Sequence, residues 1–283
     1  MKIGFIGLEG SGSAVCAALI HRNQDSVYVY DADPERIAPM ERAGGLPCGN
    51  PAEAARQADL IFSLLPGTEE AEKTWQSMLP ELKHGKIGVD LSTIDPIRSV
   101  AISDQVKHAG AEFLDCPMVP SHQTFGIYVG GNKRAAQKIL PYLLMLTDEV
   151  MYIGFNGAGL IMKLCHDALL TQVQNSVNEA MALADASGIG PQKFAMAMDF
   201  GNARSRYLDA VWRKIDAGDY SAEESSVSEM SDEVDRILSY AKYVGRIMPG
   251  ELLVRNVYDQ AEKRGLGEED SAATYKVVQS PKS

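Results

Sequence analysis

Along its first half the chain alternates short apolar runs with segments that carry helix punctuation. Residues 2–7 form an apolar run closed by glycine, and residues 26–31 (Ser-Val-Tyr-Val-Tyr-Asp) are rich in β-branched and aromatic side chains. Residues 59–65, 86–91, 111–115, 127–129 and 150–153 are further strand candidates. Unbroken apolar runs, as opposed to alternating ones, suit strands buried on both faces, as in a parallel sheet covered by helices. Between them, Asp33-Pro34-Glu35 places a cap, a first-turn proline and an acid in order, and Gly44 ends that helix. Asn50-Pro51-Ala52-Glu53 repeats the signal, and Thr68-Glu69-Glu70 and Asp95-Pro96 open two more helices. The alternation predicts an α/β domain with a doubly wound sheet.

The second half has a different period. Residues 160–187 contain neither proline nor glycine and end at Gly188-Ile189-Gly190-Pro191, a helix stop. Ile161, Leu164, Ala168, Val173, Val177, Ala180 and Ala184 recur mostly at three- and four-residue spacings. Such a helix would run for roughly 40 Å, and its wide apolar coverage predicts burial against more than one partner. Further helices are predicted over 192–200, 204–217, 226–244, 251–264 and 270–277, with no convincing strand among them. The expected architecture is therefore an N-terminal Rossmann-like doubly wound sheet, residues 1–158, and an all-α domain, residues 159–283, joined by a long interdomain helix.

Composition refines this reading. The chain has 283 residues, and 27 basic against 38 acidic side chains give a net charge of −11. That balance argues against nucleic acid or an anionic membrane as a partner, and it leaves a small-molecule substrate as the expected one. Cys16, Cys48, Cys116 and Cys165 form no C-x-x-C pair, which predicts neither a metal site nor a disulfide framework and suits a reducing, cytoplasmic compartment. The apolar run at the N-terminus is too short for a signal peptide, and no stretch approaches the length of a membrane span.

Candidate chemistry begins at Gly7-Leu8-Glu9-Gly10-Ser11-Gly12, between the first strand and a helix predicted over 13–20. This is the context of a dinucleotide fingerprint, G-x-G-x-x-G. Gly7 and Gly12 stand for its first and third glycines, the turn and the close helix–strand packing, but the second position holds Glu9. A carboxylate about 5 Å from a phosphate charge costs about 3 kcal/mol at an effective dielectric near 20. Swung into water, most of that is screened, and Gly10 could let the loop take another path. Asp31 ends the second strand, 24 residues after Gly7, and can accept hydrogen bonds from ribose hydroxyls. No basic residue follows immediately, and Arg36 comes later, so NAD is expected over NADP.

Together with these features, Leu64-Leu65-Pro66, Val89-Asp90-Leu91-Ser92-Thr93-Ile94-Asp95-Pro96, Phe113-Leu114-Asp115-Cys116-Pro117, Val129-Gly130-Gly131, Gly157-x-Gly159-x-x-x-Lys163 and Gly267-Glu268-Glu269-Asp270-Ser271-Ala272 resemble the β-hydroxyacid dehydrogenase family, the relatives of 3-hydroxyisobutyrate dehydrogenase. The resemblance spans nearly the whole chain. It implies hydride transfer between a nicotinamide cofactor and a small hydroxy acid or related carbonyl compound, with Lys163 as general acid/base. It implies cofactor binding by Gly7, Leu8, Glu9, Gly10, Ser11, Gly12, Asp31, Leu65, Pro66 and Thr93. Substrate contacts fall to Ser92, Pro117, Ser121, His122 and His166, and assembly to a homodimer or homotetramer.

Three departures bear on substrate. Asp167, which the resemblance places with Lys163 as a catalytic residue, stands where the family usually has asparagine to bind substrate or orient the lysine; it shares a helix face with Lys163 and His166, would hold the lysine as a cation and disfavours a carboxylate substrate. The segment from Asp115 to Gly126 is about five residues shorter than the pattern and lacks its Ser-Gly-Gly. Ser121 and His122 either replace it with side-chain donors or are ordinary loop residues. Ser231-Asp232 stands where members often carry Lys-Asp. Two alternatives follow: a catalytically impaired homologue that binds nucleotide or another protein, and an imine reductase-like enzyme.

Overall fold

The computed structural model describes residues 1–121, 125–222 and 225–279. The chain divides into two compact units, Met1–Lys163 and Leu164–Ser283.

The first unit alternates strands and helices: β1 (Ile3–Ile6), α1 (Gly12–Arg22), β2 (Val27–Tyr30), α2 (Pro34–Arg42), β3 (Leu46–Pro47), α3 (Pro51–Gln57), β4 (Leu60–Ser63), α4 (Thr68–Met78), β5 (Ile87–Asp90), α5 (Pro96–His108), β6 (Glu112–Asp115), β7 (Met118–Pro120), β8 (Phe125–Gly131), α6 (Lys133–Leu143) and β9 (Val150–Gly154). The sheet order is β3-β2-β1-β4-β5-β6-β8-β7, with β9 beside β8. From β3 to β6 all pairs are parallel; β8 runs antiparallel to β6 and β7. This is the doubly wound order in which the connection reverses between β1 and β4.

The unbroken apolar runs have a simple cause. In β1, β4 and β5 all four positions are buried, because successive side chains enter different cores. Ile3, Phe5, Leu60 and Phe62 pack with Val15, Cys16 and Leu19 of α1 and Ile139 and Leu143 of α6. Ile6 and Ile61 pack with Ala54 and Ala55 of α3, Trp75 of α4 and Ile102 and Val106 of α5. A one-residue register slip would exchange the two cores, so the pairing Ile6↔Tyr30 and Ile6↔Ser63 is strongly specified. The helix starts follow their caps: Asp33, Asn50 and Asp95 each accept a backbone N–H in front of a first-turn proline.

The second unit is helical among its described residues. The helix α7 (Ala158–Ala186) begins in the first unit and continues into this one, followed by α8 (Pro191–Met198), α9 (Arg206–Ala217), α10 (Val227–Tyr243), α11 (Pro249–Lys263) and α12 (Tyr275–Gln279). Met181, Phe194, Leu208, Val211 and Ile215 make one core, and Val227, Val234, Val254 and Tyr258 another. A polar network crosses this unit. Gln174 donates to the Ser271 carbonyl and Thr274, Asn178 also donates to Thr274, and Tyr258 donates to Gln174. Asp270 caps the short turn that presents Ser271 and Thr274, which gives the Gly267–Ala272 motif a structural role. No helix among the described residues is long and apolar enough to cross a membrane.

Candidate active site

The carboxyl ends of the parallel strands form one row. Tyr30, Ile6, Ser63, Asp90 and Asp115 stand side by side in register. In an open α/β sheet, ligands bind outside this edge, at the point where the strand order reverses. Here that point is the turn after β1. Gly7 has φ +94°, and a Cβ on it would lie 2.1 Å from the Leu64 carbonyl oxygen; a Cβ on Gly12 would meet the Gly7 oxygen at 2.4 Å. These two glycines are required by the turn and by close packing. Glu9 is not strained, because every positive φ among the described residues belongs to glycine.

The Glu9 side chain is exposed and pairs with Arg36 of α2, Oε1 to Nη2 3.3 Å. The same guanidinium lies 3.6 Å from Asp31 Oδ1 and 3.6 Å from Asp33 Oδ2. Asp31 is buried and held rigidly: its Oδ2 accepts from the Leu8 amide at 2.6 Å and its Oδ1 from the Asp33 amide at 2.8 Å. Leu8 turns its side chain into the core, so its part is to position Asp31. Ser11 and Gly10 are exposed on the loop. No side chain caps the start of α1, and its first turn carries no acid. A cleft of about 400 Å³ opens here, lined by Gly7, Glu9, Tyr30, Asp31, Arg36, Pro51, Leu65, Pro66, Lys73 and Thr74 among others. A larger cleft of about 530 Å³ lies in the helical unit and contains none of the expected site residues.

A dinucleotide fits these residues. The bare helix N-terminus offers backbone N–H groups and a positive dipole end to phosphates. The fixed Asp31 carboxylate offers an acceptor to ribose hydroxyls, and Tyr30, Pro51 and Leu65 offer apolar walls. Arg36, Lys73 and Thr74 join the set from α2 and α4; the sequence marked Arg36 only as a basic residue some way after Asp31 and gave no sign of Lys73 and Thr74, since only the topology brings α4 to the loop.

Further along the row, Asp90 is buried. Its Oδ1 accepts from Ser63 Oγ at 2.9 Å and from Ser92 Oγ at 2.6 Å. Ser92 Oγ in turn accepts from the Leu65 amide at 2.8 Å. Ser92 and Pro117 were expected to touch substrate. Both are buried: the Ser92 hydroxyl holds the turn at Leu65 and Pro66, and the Pro117 carbonyl accepts from Tyr128. As placed, they support the site from beneath, while Thr93 is half-buried beside them. Ser121 is half-buried, with a hydroxyl oxygen that finds no hydrogen-bond partner among the described residues. His122 lies outside the described residues.

Asp115 connects the sheet to the lysine. Its Oδ1 accepts from the Gly157 amide at 2.7 Å and its Oδ2 from the Leu160 amide at 3.1 Å, so a strand-end carboxylate caps the start of α7. Lys163 follows on that helix, three residues beyond Leu160, and is half-buried. The two sequence motifs Asp115-Cys116-Pro117 and Gly157-x-Gly159 are thus the halves of one clamp. Burial pushes the carboxyls of both Asp90 and Asp115 up to about 6, against the hydrogen bonds they accept.

A carboxyl raised on folding adds stability that is complete below its unfolded value near 3.9 and is lost as pH rises through about 6. Asp90→Asn is therefore expected to gain on the wild type as pH rises from near 4 to near 8, by on the order of 2–3 kcal/mol. Urea unfolding at the two pH values measures this. A wild-type-to-variant difference that does not move with pH would contradict it.

Within the second unit, Asp167 is buried on α7 and lies 2.8 Å from His166 Nδ1. Glu251 of α11 is fully buried and accepts from Thr171 Oγ1 at 3.0 Å and Gln172 Nε2 at 3.2 Å. Burial first, and the Asp167 charge as a lesser cause, raise the Glu251 pKa. Ser231 of α10 accepts from Arg255 of α11 at 2.7 Å, and Asp232 is exposed. No cluster among the described residues could hold a metal ion.

Residues 2–154 match the NAD binding domain of 6-phosphogluconate dehydrogenase, and residues 157–278 match the family described as NAD-binding of NADP-dependent 3-hydroxyisobutyrate dehydrogenase. The 2-(hydroxymethyl)glutarate dehydrogenase of Eubacterium barkeri is 26% identical over 98% of this chain and 94% of its own. The structure of a Mycobacterium tuberculosis 3-hydroxyisobutyrate dehydrogenase with L-serine superposes with a TM-score of 0.91 at 19% identity, covering 99% of both chains. An imine reductase from Pseudomonas sp. superposes with a TM-score of 0.63 at 21% identity, covering 98% of this chain and 99% of its own. At such identities the two solved structures report the fold. The first of the two family matches spans more than half of the chain, and on that footing the chain belongs to the β-hydroxyacid dehydrogenase family, NAD(P)-dependent oxidoreductases that act on a hydroxyl group.

Proposed function

We propose that the chain is an NAD-preferring dehydrogenase of a small β-hydroxy acid or a related hydroxy compound, with Lys163 as the general acid/base. The observation that carries this reading is the Asp115 clamp. It ties the first turn of the lysine's helix to the same sheet edge that bears the Gly7 loop and Asp31. A nicotinamide held by the Gly7 loop and Asp31 would supply the hydride acceptor for oxidation of a hydroxyl-bearing carbon and the hydride donor for the reverse reduction. The Lys163 amine takes the hydroxyl proton as the carbonyl forms, and its ammonium donates that proton in the reverse direction. In either direction its positive form stabilises alkoxide character on the substrate oxygen.

Asp31 receives ribose hydroxyls, the start of α1 receives the pyrophosphate, and the Asp90–Ser92–Leu65 chain keeps the Leu65-Pro66 wall in place. Pairing of Glu9 with Arg36 weakens the reading as an impaired homologue, since the acid has a cation of its own to face.

Substrate choice rests on Asp167. A buried carboxylate with a second buried carboxylate, Glu251, in its neighbourhood disfavours a further anionic group. Asp167→Asn is expected to lower KM for simple hydroxy acids by about tenfold with a smaller change in kcat, since an amide can donate where the acid repels. Steady-state assays on a panel of hydroxy acids and uncharged hydroxy compounds check this. An unchanged preference between the two groups would contradict it.

We place the enzyme in the cytoplasm, a reading supported by four cysteines that are all free thiols. We propose a homodimer or homotetramer, supported by the large exposed apolar side chains of the helical unit, Phe200, Ile247 and Leu253.

A further inference from the structure

Glu9 replaces the fingerprint glycine beside which a dinucleotide pyrophosphate passes, yet its backbone is unstrained and its carboxylate is paired with Arg36. Arg36 is the cation nearest Asp31, and a 2′-phosphate would need such a cation. Its three kinds of nitrogen face three different acids: Nη2 faces Glu9, Nη1 Asp31 and Nε Asp33. One guanidinium among three carboxylates leaves two negative charges uncompensated at the position where Asp31 would meet the ribose. Lys73, the other cation lining the cleft, belongs to α4 and lies near Glu69.

We infer that Glu9 is a cofactor-selectivity residue: by engaging Arg36 beside Asp31 it denies the guanidinium to a 2′-phosphate and adds a second repelling charge there. The inference rests on the NAD reading above and extends it. Glu9 acts through Arg36 and by its own field, so it is a positioning residue and not a catalytic one. A ribose carrying free hydroxyls meets only acceptors it can donate to, and is little affected. A ribose carrying a phosphate brings nearly two further negative charges to the same spot. The pair is half-exposed, so the discrimination it supplies is screened by salt.

The test is fluorescence titration of the full chain with NADH and with NADPH at low ionic strength, for wild type, Glu9→Gln, and Glu9→Gln combined with Arg36→Leu. The wild type is expected to bind NADH more tightly. Glu9→Gln is expected to narrow the preference by about tenfold, mostly by tightening NADPH, and the gain should shrink as salt is added. Adding Arg36→Leu should remove the gain, which a merely structural effect of Glu9 on the loop would not predict. Equal tightening of both nucleotides by Glu9→Gln would overturn the inference, because Glu9 would then oppose the shared pyrophosphate. An unchanged ratio, or a wild type that prefers NADPH, would overturn it as well while leaving cofactor binding standing. A wild type that binds neither nucleotide would remove the cofactor reading itself and this inference with it.

Discussion

Lys163→Ala is expected to lower kcat by about 10²–10⁴-fold while the Kd for NADH stays within about threefold of wild type. The separation follows from where each function is built. Every group offered to the dinucleotide lies on β1, β2, the starts of α1 and α3, α2, α4 or the turns beside them: the Gly7 loop, Asp31 and the cleft walls Tyr30, Pro51 and Leu65. Lys163 belongs to α7, whose start is held by Asp115 through the Gly157 and Leu160 amides. Removing the amine beyond Cβ leaves that clamp untouched, and alanine is a good helix former. What is lost is the group that exchanges a proton with the substrate oxygen. Paired measurements of steady-state turnover and NADH titration check the prediction. Turnover within tenfold of wild type would show that another group carries the proton. A parallel collapse of NADH affinity would show that the lysine serves the cofactor.

Gly7→Ala is expected to raise the Kd for NADH by more than about a hundredfold and to destabilise the first unit by about 3 kcal/mol or more. Both causes act at one residue. A φ of +94° is a conformation that an alanine rarely adopts, and the added Cβ would sit 2.1 Å from a backbone carbonyl oxygen. That oxygen belongs to Leu64, whose amide is bonded to the Ile6 carbonyl, and the Gly7 amide is itself bonded to Tyr30. Neither neighbour is the end of a flexible side chain, so relief must come from moving β1 against β4 or from reshaping the loop that meets the phosphates. Gly10→Ala is the contrasting case. Its φ is +53° and nothing lies within 4 Å of an added Cβ, so the cost should be near 1 kcal/mol. Urea unfolding and NADH titration of the two variants test the difference. Equal, mild effects at both positions would contradict the assigned role of Gly7.

The doubly wound sheet is legible in the sequence because the central strands β1, β4 and β5 are buried at every position and largely apolar, as the two cores on either side of the sheet demand. Helix starts are legible where a cap and a first-turn proline coincide. The helix α6 escapes this reading: its cap Asn132 precedes a lysine instead of a proline, and Pro141 lies inside it, where it reads as a breaker. The strands β3 and β7 escape too, being two and three residues long and each containing a proline.

The candidate site divides in the same way. Gly7, Gly12 and Asp31 stand out because each is a particular residue type at a position local geometry makes special, and Lys163 stands out only through the resemblance of Gly157-x-Gly159-x-x-x-Lys163 to the family's motif. The Glu9–Arg36 pair and the Asp115–Gly157 clamp do not, because each joins positions 27 and 42 residues apart that only the strand order brings together. The burial of Ser92 and Pro117, where substrate contact was expected, has a related cause. A motif reports that a position is constrained, and burial decides whether the constraint is contact with a ligand or support of the wall behind it.

The central claim is that this chain moves hydride between a nicotinamide and the carbinol carbon of a small hydroxy compound. The most direct measurement mixes the wild-type protein with NAD and each member of a panel of small β-hydroxy acids and uncharged β-hydroxy compounds, and follows the absorbance of reduced nicotinamide. The account predicts NADH formation with at least one member of the panel, abolished by Lys163→Ala. Tight NADH binding with no nicotinamide reduction by any member, in either direction of the reaction, would contradict it.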